Sequence, residues 1–577
     1  DSAENTAVYP TFNNTGTVSV NSSSLKLTGA GTDTGTYDIA DGATLWLDDA
    51  TRTWTGVTLA GDGQLYLNDS PTLNINDDMT TATTVTLHGG RVDGTGSLTL
   101  DGDFNWIAGD VTLDGGLTTT GTTTLDDAAG VSLWTQWTNS ATGTVNWTDG
   151  DFFIRGSDTY TPAGGRFLNQ GTFSIATDDG HDQIRDSGTF TNAGILNHDS
   201  AENTAVHTTF NNTGTVNVNS RSLKLTGSGT DTGTYDIADG ATLWLDDATR
   251  TWTGVTLQGG PGHLYLSNDP TLRITDDITT ASSIQFDGGR IEGDGSLTMT
   301  GVFTWQSGTV ELDIITSGTA ILNDSSSKQL TGTWENSGTV NWNDGDFDLN
   351  GGTFTNAAAG TFDINHSDGP DAIEGSGSFQ NAGEFIRDTP DPVIYVNADF
   401  DNLPGGRVTV SQGTLYFGGG GTHNGTLDVQ AGTGLRFNSG TFNWDDGNLL
   451  TGAGGFQFGG GATINLTGTN TGTTVDNGHY LRLDNVDLGG AGNGILINNG
   501  TLDCWRTVTI NGALTNAGEL RVKAQTGDPG QLTVTSLPDN SGIINLGSDD
   551  ASDPRAATVI VNNGTLVNTG AINALAG

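Results

Sequence analysis

Aspartate-rich turns are the part of this sequence whose residue types come closest to a metal site. Asp-Gly-x-Asp occurs at residues 179–182 and again at residues 368–371. Carboxylates clustered on a turn offer the hard oxygen ligands that Ca²⁺ prefers, although the spacing is neither that of an EF-hand loop nor that of a calcium β-roll repeat. A solvated acidic corner is the competing interpretation. With Ca²⁺ as the candidate cofactor, the predicted metal ligands are Asp179, Asp182, Asp368 and Asp371.

The sequence does not single out a set of catalytic residues. Glycosidases need two carboxylates about 5–10 Å apart, and in a chain with 67 acidic residues such pairs arise by chance. Glu292 and Asp294 form one, but their counterparts in an earlier copy, Asp93 and Thr95, do not keep both acids. Cys504 is the single cysteine and has no nearby histidine, and no Gly-x-Ser-x-Gly elbow occurs. The sequence therefore predicts a protein that is not an enzyme.

Tryptophan recurs beside turns, typically three residues before a glycine, as in Trp106, Trp147 and Trp342. Indole rings can stack against sugars, but regular placement next to turns is more typical of core or corner packing. The tryptophans are therefore predicted to be structural.

The charge balance restricts the partners. The chain has 20 basic and 67 acidic side chains, a net charge of −47. Phosphate recognition needs Lys and Arg, so nucleic acid and anionic lipid surfaces are disfavoured as partners. No apolar run reaches the length of about 18 residues that a membrane-spanning helix requires, so membrane insertion is not expected.

The elements that position these residues come from repetition. Residues 1–59 recur at 199–257, and a more divergent copy starts near Asp388. Trp54, Trp252 and Trp444 occupy the same place in the three copies. The sequence therefore predicts three tandem units of roughly 190 residues, at 1–198, 199–387 and 388–577.

A shorter pattern repeats inside each unit. It reads φ-x-Asn-x-Gly-x-φ-x-φ, where φ is apolar or aromatic, and it fits Phe12 to Val20, Phe167 to Ile175 and Trp334 to Trp342. Alternation on both sides indicates strands, and Asn and Gly, which tolerate positive φ, indicate a tight corner between them. A chain with only 4 Lys, 8 Glu and 2 Met also lacks good helix formers.

Strand signals every 8–12 residues or so are compatible with a sandwich, a barrel or a solenoid. Repetition within units, short loops and length changes confined to turns favour the solenoid. We expect an all-β, right-handed parallel β-helix that forms one continuous rod on the order of 140 Å long, at about 20 residues per coil. The alternative is a string of three β-sandwich domains, which predicts linkers that the sequence does not contain.

The Asn-x-Gly sequence motif at residues 188–194 and 564–570 resembles the repeats of large bacterial surface proteins. These include β-helical adhesins, autotransporter passenger regions and filamentous-haemagglutinin-like chains. The resemblance implies a secreted or cell-surface rod that presents, spaces or adheres. The expected partners are further copies of the chain, assembled end to end or side by side, and glycans or other surface components.

The expected function is therefore that of a non-enzymatic, extracellular structural or adhesive rod. The alternative is a carbohydrate-active or carbohydrate-binding β-helix of the tailspike type. Gly564 to Ala574 aligns with Gly188 to His198, which are the last residues of the first unit. The sequence therefore spans almost a whole number of repeat units. It is thus expected to be an in-phase segment of a longer fibre, or to stack end to end with other copies.

Overall fold

The computed structural model describes most of the chain. The described residues are 5–126, 130–157, 164–178, 182–366, 371–390, 393–459, 461–467, 472–476, 479–489, 494–525, 528–547, 556–562 and 564–574. Within these ranges there is no helix, and 72 short strands stack in parallel as a β-solenoid of about 24 turns. The predicted all-β solenoid is confirmed, and the alternative of three sandwich domains does not describe this fold. The division into three repeat units stays a prediction.

The structure separates into two compact bodies. The first comprises the described residues of Asp1–Gln285 with Glu292–Gly295, and the second those of Phe286–Ile291 with Ser296–Gly577. The strands of the first body are Thr6–Val8, Thr17–Val20, Ser24–Leu27, Gly31–Asp33, Thr36–Ile39, Thr44–Asp48, Thr51–Trp54, Thr58–Ala60, Gln64–Ile75, Met79–Thr81, Thr84–Asp93, Leu98–Leu100, Phe104–Val111, Leu117–Thr119, Thr122–Asp126, Val131–Leu133, Gln136–Asn139, Thr144–Asp149, Phe152–Ile154, Arg166–Asn169, Thr172–Ile175, Gln183–Arg185, Thr189–Asn192, Ile195–His198, Thr204–Val206, Thr209–Asn212, Thr215–Val218, Ser222–Leu225, Gly229–Asp231, Thr234–Ile237, Thr242–Asp246, Thr249–Trp252, Thr256–Gln258, His263–Ser267, Thr271–Ile274 and Ile278–Thr280.

The strand Ser283–Glu292 includes residues of both bodies. The strands of the second body are Ser296–Met299, Phe303–Val310, Asp313–Thr316, Thr319–Leu322, Lys328–Leu330, Thr333–Asn336, Thr339–Trp342, Phe347–Asp348, Thr353–Asn356, Thr361–Ile364, Ala372–Glu374, Ser378–Asn381, Glu384–Arg387, Ile394–Val396, Asp399–Asn402, Arg407–Val410, Thr414–Phe417, Gly421–His423, Thr426–Val429, Gly434–Phe437, Thr441–Trp444, Leu449–Gly452, Gly455–Phe458, Thr463–Leu466, Thr473–Val475, Tyr480–Asp484, Asp487–Gly489, Gly494–Asn498, Thr501–Trp505, Thr507–Asn516, Glu519–Lys523, Gly530–Asn540, Ile543–Leu546, Ala557–Val561 and Ala571–Ala574.

Equivalent residues of successive coils stack on one another. Phe167 pairs in register with Phe190, and Phe190 with Phe210, which are steps of 23 and 20 residues. Their side chains are fully buried, and the ring centroids lie 4.9 and 5.2 Å apart. The core of each body is therefore a set of ladders in which inward-facing apolar residues of one coil pack on those of the next. Alternation along each strand places the intervening polar residues on the outside.

The glycine of the Asn-x-Gly corner has a different role from the one predicted. Neither Gly194 nor Gly214 adopts positive φ. Instead, a Cβ at Gly194 would lie 2.2 Å from the carbonyl oxygen of Gly171, and one at Gly214 would lie 2.1 Å from that of Gly194. The corner needs glycine because backbones of successive coils approach too closely for any side chain. Glycines in the Trp-x-x-Gly turns, such as Gly150 at φ 77°, do take the positive-φ conformation.

Candidate functional site

Two of the four predicted metal ligands lie within the described residues. Asp182 accepts a hydrogen bond from the backbone N–H of Gly150 at 2.9 Å, and Asp371 accepts one from the N–H of Gly345 at 2.8 Å. Asp179 and Asp368 lie outside the described part of the chain. The structure thus gives both described carboxylates the same structural contact, and metal binding by the four stays a prediction.

The turns that these carboxylates hold are the Trp-x-x-Gly turns. The indole N–H of Trp147 donates to the carbonyl oxygen of Gly150 at 2.7 Å, and Trp342 donates to that of Gly345 at the same distance. Each turn is therefore closed from inside by an indole and from the next coil by a carboxylate. A buried backbone N–H without a hydrogen-bond partner costs free energy of folding. Accepting the N–H of Gly150 or Gly345 is therefore a structural reason for an aspartate at these two positions.

His366 distinguishes the second of these sites from the first. Its imidazole is fully buried, and Nε2 lies 2.8 Å from a carboxylate oxygen of Asp371. Burial raises the pKa of Asp371, and the nearby imidazole opposes that shift. Asp371 thus accepts one backbone N–H, from Gly345, and lies against one imidazole ring.

A second acidic group escaped the sequence analysis. Ligand atoms of Asp48, Asp49 and Asp69 lie within 4.8 Å of one another. The ammonium of Lys26 lies 2.7 Å from Asp48, and although desolvation acts in the opposite direction, its hydrogen bond lowers the pKa of that carboxyl. Desolvation and the neighbouring Asp48 raise the pKa of Asp69. The group is recognisable only once the coil register places Asp69 beside the Asp-Asp pair, twenty residues earlier in the chain.

A buried ion pair was also missed. Arg250 and Asp231 are both buried, with Nη2 2.6 Å from the carboxylate. The guanidinium donates as well to the carbonyl oxygens of Gly227 and Phe210 and to the hydroxyl of Tyr235. These hydrogen bonds satisfy the charge, as a buried ion requires. A charged network this far from solvent fixes the packing of three coils and offers no access to a substrate.

The same pair recurs in the first copy and is replaced in the third. Asp33 and Arg52 repeat its contacts, again with 2.6 Å between Nη2 and the carboxylate. Strand pairing places His423 of the third copy where Asp231 lies, between an asparagine and a tryptophan of adjacent coils. Phe442 stands in place of the arginine. Burial lowers the pKa of His423 to about 3.

The aromatic residues divide into an inner and an outer set. Nine of the tryptophans are fully buried, which confirms their predicted structural role. Trp46 and Trp244 face outward and are half-buried, and each lies beside a lysine of the preceding coil, with ammonium-to-ring distances of 5.5 and 4.2 Å to Lys26 and Lys224. In the third copy the basic and the aromatic residue exchange places, with the aromatic residue in the earlier coil. Arg436 there lies 5.3 Å from the ring of Tyr416.

The residues considered for catalysis have ordinary surroundings. Cys504 is fully buried, and burial raises the pKa of its thiol, which disfavours the reactive thiolate. Glu292 lies 3.6 Å from the guanidinium of Arg273. Neither residue is part of a nucleophile–base pair among the contacts of the described residues.

Comparison with known proteins gave no assignment. Neither a scan against family models, nor a search of curated proteins, nor a search of solved structures found a match for this chain. Among the described residues, no helix is long and apolar enough to cross a membrane.

Proposed function

We propose that this protein is a non-enzymatic structural or adhesive rod of the cell exterior, secreted or held at the cell surface. The observation that carries the proposal is a buried asparagine ladder that links coil to coil. Asn139 donates its amide N–H to Asn169 at 2.8 Å, Asn169 to Asn192 at 2.8 Å, and Asn192 to Asn212 at 2.9 Å. All four side chains are fully buried.

Each amide of this ladder also donates to a backbone carbonyl oxygen of the next coil. Asn169 donates to the carbonyl oxygen of Ile195 at 2.9 Å, and Asn192 to that of Thr215 at 3.0 Å. The second body contains two ladders of the same kind, which run through Asn336, Asn356, Asn381 and Asn402, and through Asn498, Asn516, Asn540 and Asn568. Stacked amides of this type give repeated β-structures high stability.

The repeated hydrogen bonds of the asparagine ladders support a mechanical rather than a catalytic role. A catalytic site needs one constellation at one place, whereas a structural element uses the same contact in every coil. Among the described residues, one such ladder lies in the first body and two lie in the second, and the carboxylates of Asp182 and Asp371 hold turns. Copies of the chain are the proposed partners, because solenoid coils stack on coils of their own kind.

Two measurements test the proposal. Incubation with neutral polysaccharides is expected to release no product, and antibodies against the purified chain are expected to label intact cells of the source organism. Turnover of any of these polysaccharides would contradict the non-enzymatic role. Labelling that requires permeabilised cells would contradict the exterior location.

A further inference from the structure

A surface groove of about 320 Å³ lies on the outer side of the second body. It follows the ends of the strands Ile394–Val396, Thr414–Phe417 and Gly434–Phe437. Its lining includes Tyr395, Asn397, Tyr416, Gly418, Asn438 and Ser439. The volume lies in the range of about 300–1,000 Å³ that is usual for small-molecule sites.

The hollow exists because residue 418 is glycine. A Cβ built there would lie 2.7 Å from Oδ1 of Asn397 and 3.2 Å from Oγ of Ser439. Gly418 does not have positive φ, so its backbone does not require glycine. The first and second copies carry Thr28 and Thr226 at this place, and their N–H groups make the same bond to the preceding coil as that of Gly418.

The residues that line the groove are uncharged where the other copies carry a lysine and two aspartates, while Arg436, beside the groove, replaces a tryptophan. Tyr416 replaces the lysine of the other copies, as the strand pairing shows. Asn438 and Ser439 replace two aspartates in the same way. The charged residues of the other copies at these places are Lys26, Asp48 and Asp49, and Lys224, Asp246 and Asp247. In a chain of net charge −47, the residues that line this groove are all uncharged.

The groove is lined by tyrosine rings and by side-chain amides of asparagine. The rings of Tyr395 and Tyr416 lie 5.3 Å apart at 40°. Arg436 donates to the hydroxyl oxygen of Tyr416 at 2.7 Å and fixes that ring. Within the described residues, the side-chain amides of Asn397 and Asn438 and the hydroxyl of Tyr395 have no hydrogen-bond partner.

From this geometry we infer that the groove binds a neutral oligosaccharide. Pyranose rings present apolar C–H groups that pack against tyrosine, and hydroxyls that exchange hydrogen bonds with amides and phenols. An acidic sugar would be repelled by the net charge, and the cation beside the groove, Arg436, is already bonded to Tyr416. The binding is separate from the proposed structural role, because a chain that binds no sugar can still form a structural assembly.

The probes are neutral hexasaccharides made of glucose in β-1,4 or α-1,4 linkage, of xylose, of mannose or of N-acetylglucosamine, titrated into the full chain by calorimetry. At least one is expected to bind. Gly418→Thr restores the residue of the other copies and should abolish binding, whereas Tyr416→Ala should weaken it at least about tenfold. Gly260→Thr is the matched control, because Gly260 has open space around its Cβ position and lies outside the groove.

Melting temperatures establish whether each variant folds, and Asn438→Asp provides a milder change that introduces the charge of the other copies. It should weaken binding while the chain stays folded. The inference is overturned if none of the hexasaccharides binds. It is equally overturned if binding survives Gly418→Thr and Asn438→Asp in folded protein. None of these results would alter the polysaccharide-turnover or cell-labelling tests.

Discussion

Asn192 is fully buried, and its side chain makes three hydrogen bonds, to Asn169, Asn212 and Thr215. Removal of the side chain leaves an amide N–H of Asn169 and the amide oxygen of Asn212 without this partner in a buried place. At about 1–3 kcal/mol for each of these two groups, Asn192→Ala should destabilise the coils around it by about 2–6 kcal/mol. Hydrogen exchange of the strands Thr189–Asn192 and Thr209–Asn212 should report the loss.

Asn197 provides the control for this substitution. It lies on the outer side of the next strand, is half-buried and accepts one hydrogen bond, from Asn217 at 2.8 Å. Asn197→Ala is expected to cost less than about 1 kcal/mol, because water can replace the lost contact. Equal effects of the two substitutions would mean that the ladder contributes no more than surface hydrogen bonds.

Because His423 is buried, we expect the folding stability of the chain to decrease in acid. Its ring nitrogens have no hydrogen-bond partner among the described residues, and the rings of Phe400, Phe417, Phe437 and Phe442 surround it. Because burial lowers its pKa to about 3, the unfolded chain binds a proton below about pH 6.5 that the folded chain does not. Stability is therefore present above that pH and falls progressively towards pH 3, by up to about 5 kcal/mol.

The measurement is the difference in melting temperature between neutral pH and about pH 5. His423→Leu should reduce this difference relative to the unaltered chain, since the leucine binds no proton. His88→Gln, at an exposed histidine, should leave it unchanged. If His423→Leu also leaves the difference unchanged, protonation of His423 does not limit acid stability.

Arg250 and Asp231 act at the scale of the element, because their network joins three successive coils. Breaking such a pair by removing one partner typically costs about 3–5 kcal/mol, since the remaining charge stays buried. Arg250→Leu should therefore be strongly destabilising, and Asp231→Asn in the same chain should recover part of the loss. A double-mutant cycle in urea measures the coupling. The third copy, which lacks both charges, indicates that a neutral replacement can fold.

The turns held by Asp182 and Asp371 allow a test of the predicted calcium site. An asparagine oxygen can still accept the N–H of Gly150 or Gly345, so the double substitution to asparagine should leave the chain folded. If the predicted site binds Ca²⁺, millimolar calcium raises the melting temperature of the unaltered chain above its value in EDTA and has a smaller effect on the variant. NaCl at matched ionic strength is the control. Equal melting temperatures in calcium and EDTA would show that the acidic turns are structural only.

The elements were largely predictable from the sequence, and the sites were not. Phe-x-Asn-x-Gly patterns predict strand, corner and strand because period-two alternation and corner residues are local signals. The reason for the glycine is not local, since the atom that a Cβ of Gly194 would meet belongs to Gly171. The same holds for Arg250 with Asp231, and for Gly418 with Asn397. Coils differ in length by a few residues, so the register that brings such groups together follows only from the stacked structure.

At the scale of the whole molecule, the excess of acidic residues dominates. With 67 acidic and 20 basic side chains, at least 67 − 20 = 47 acids have no basic partner even if every base forms a pair. Their mutual repulsion opposes both folding and contact between copies, and it acts over about 8 Å at physiological ionic strength.

Raising NaCl from about 0.05 to 0.5 M shortens that range severalfold. The melting temperature should therefore rise, and sedimentation velocity should show larger species, because copies that repel one another at low salt can then approach. Sucrose at equal osmolality is the control, since it leaves the charges unscreened. A sedimentation coefficient that stays constant over this range of salt would mean that charge does not keep copies apart. Association between copies would then require a specific contact that screening does not influence.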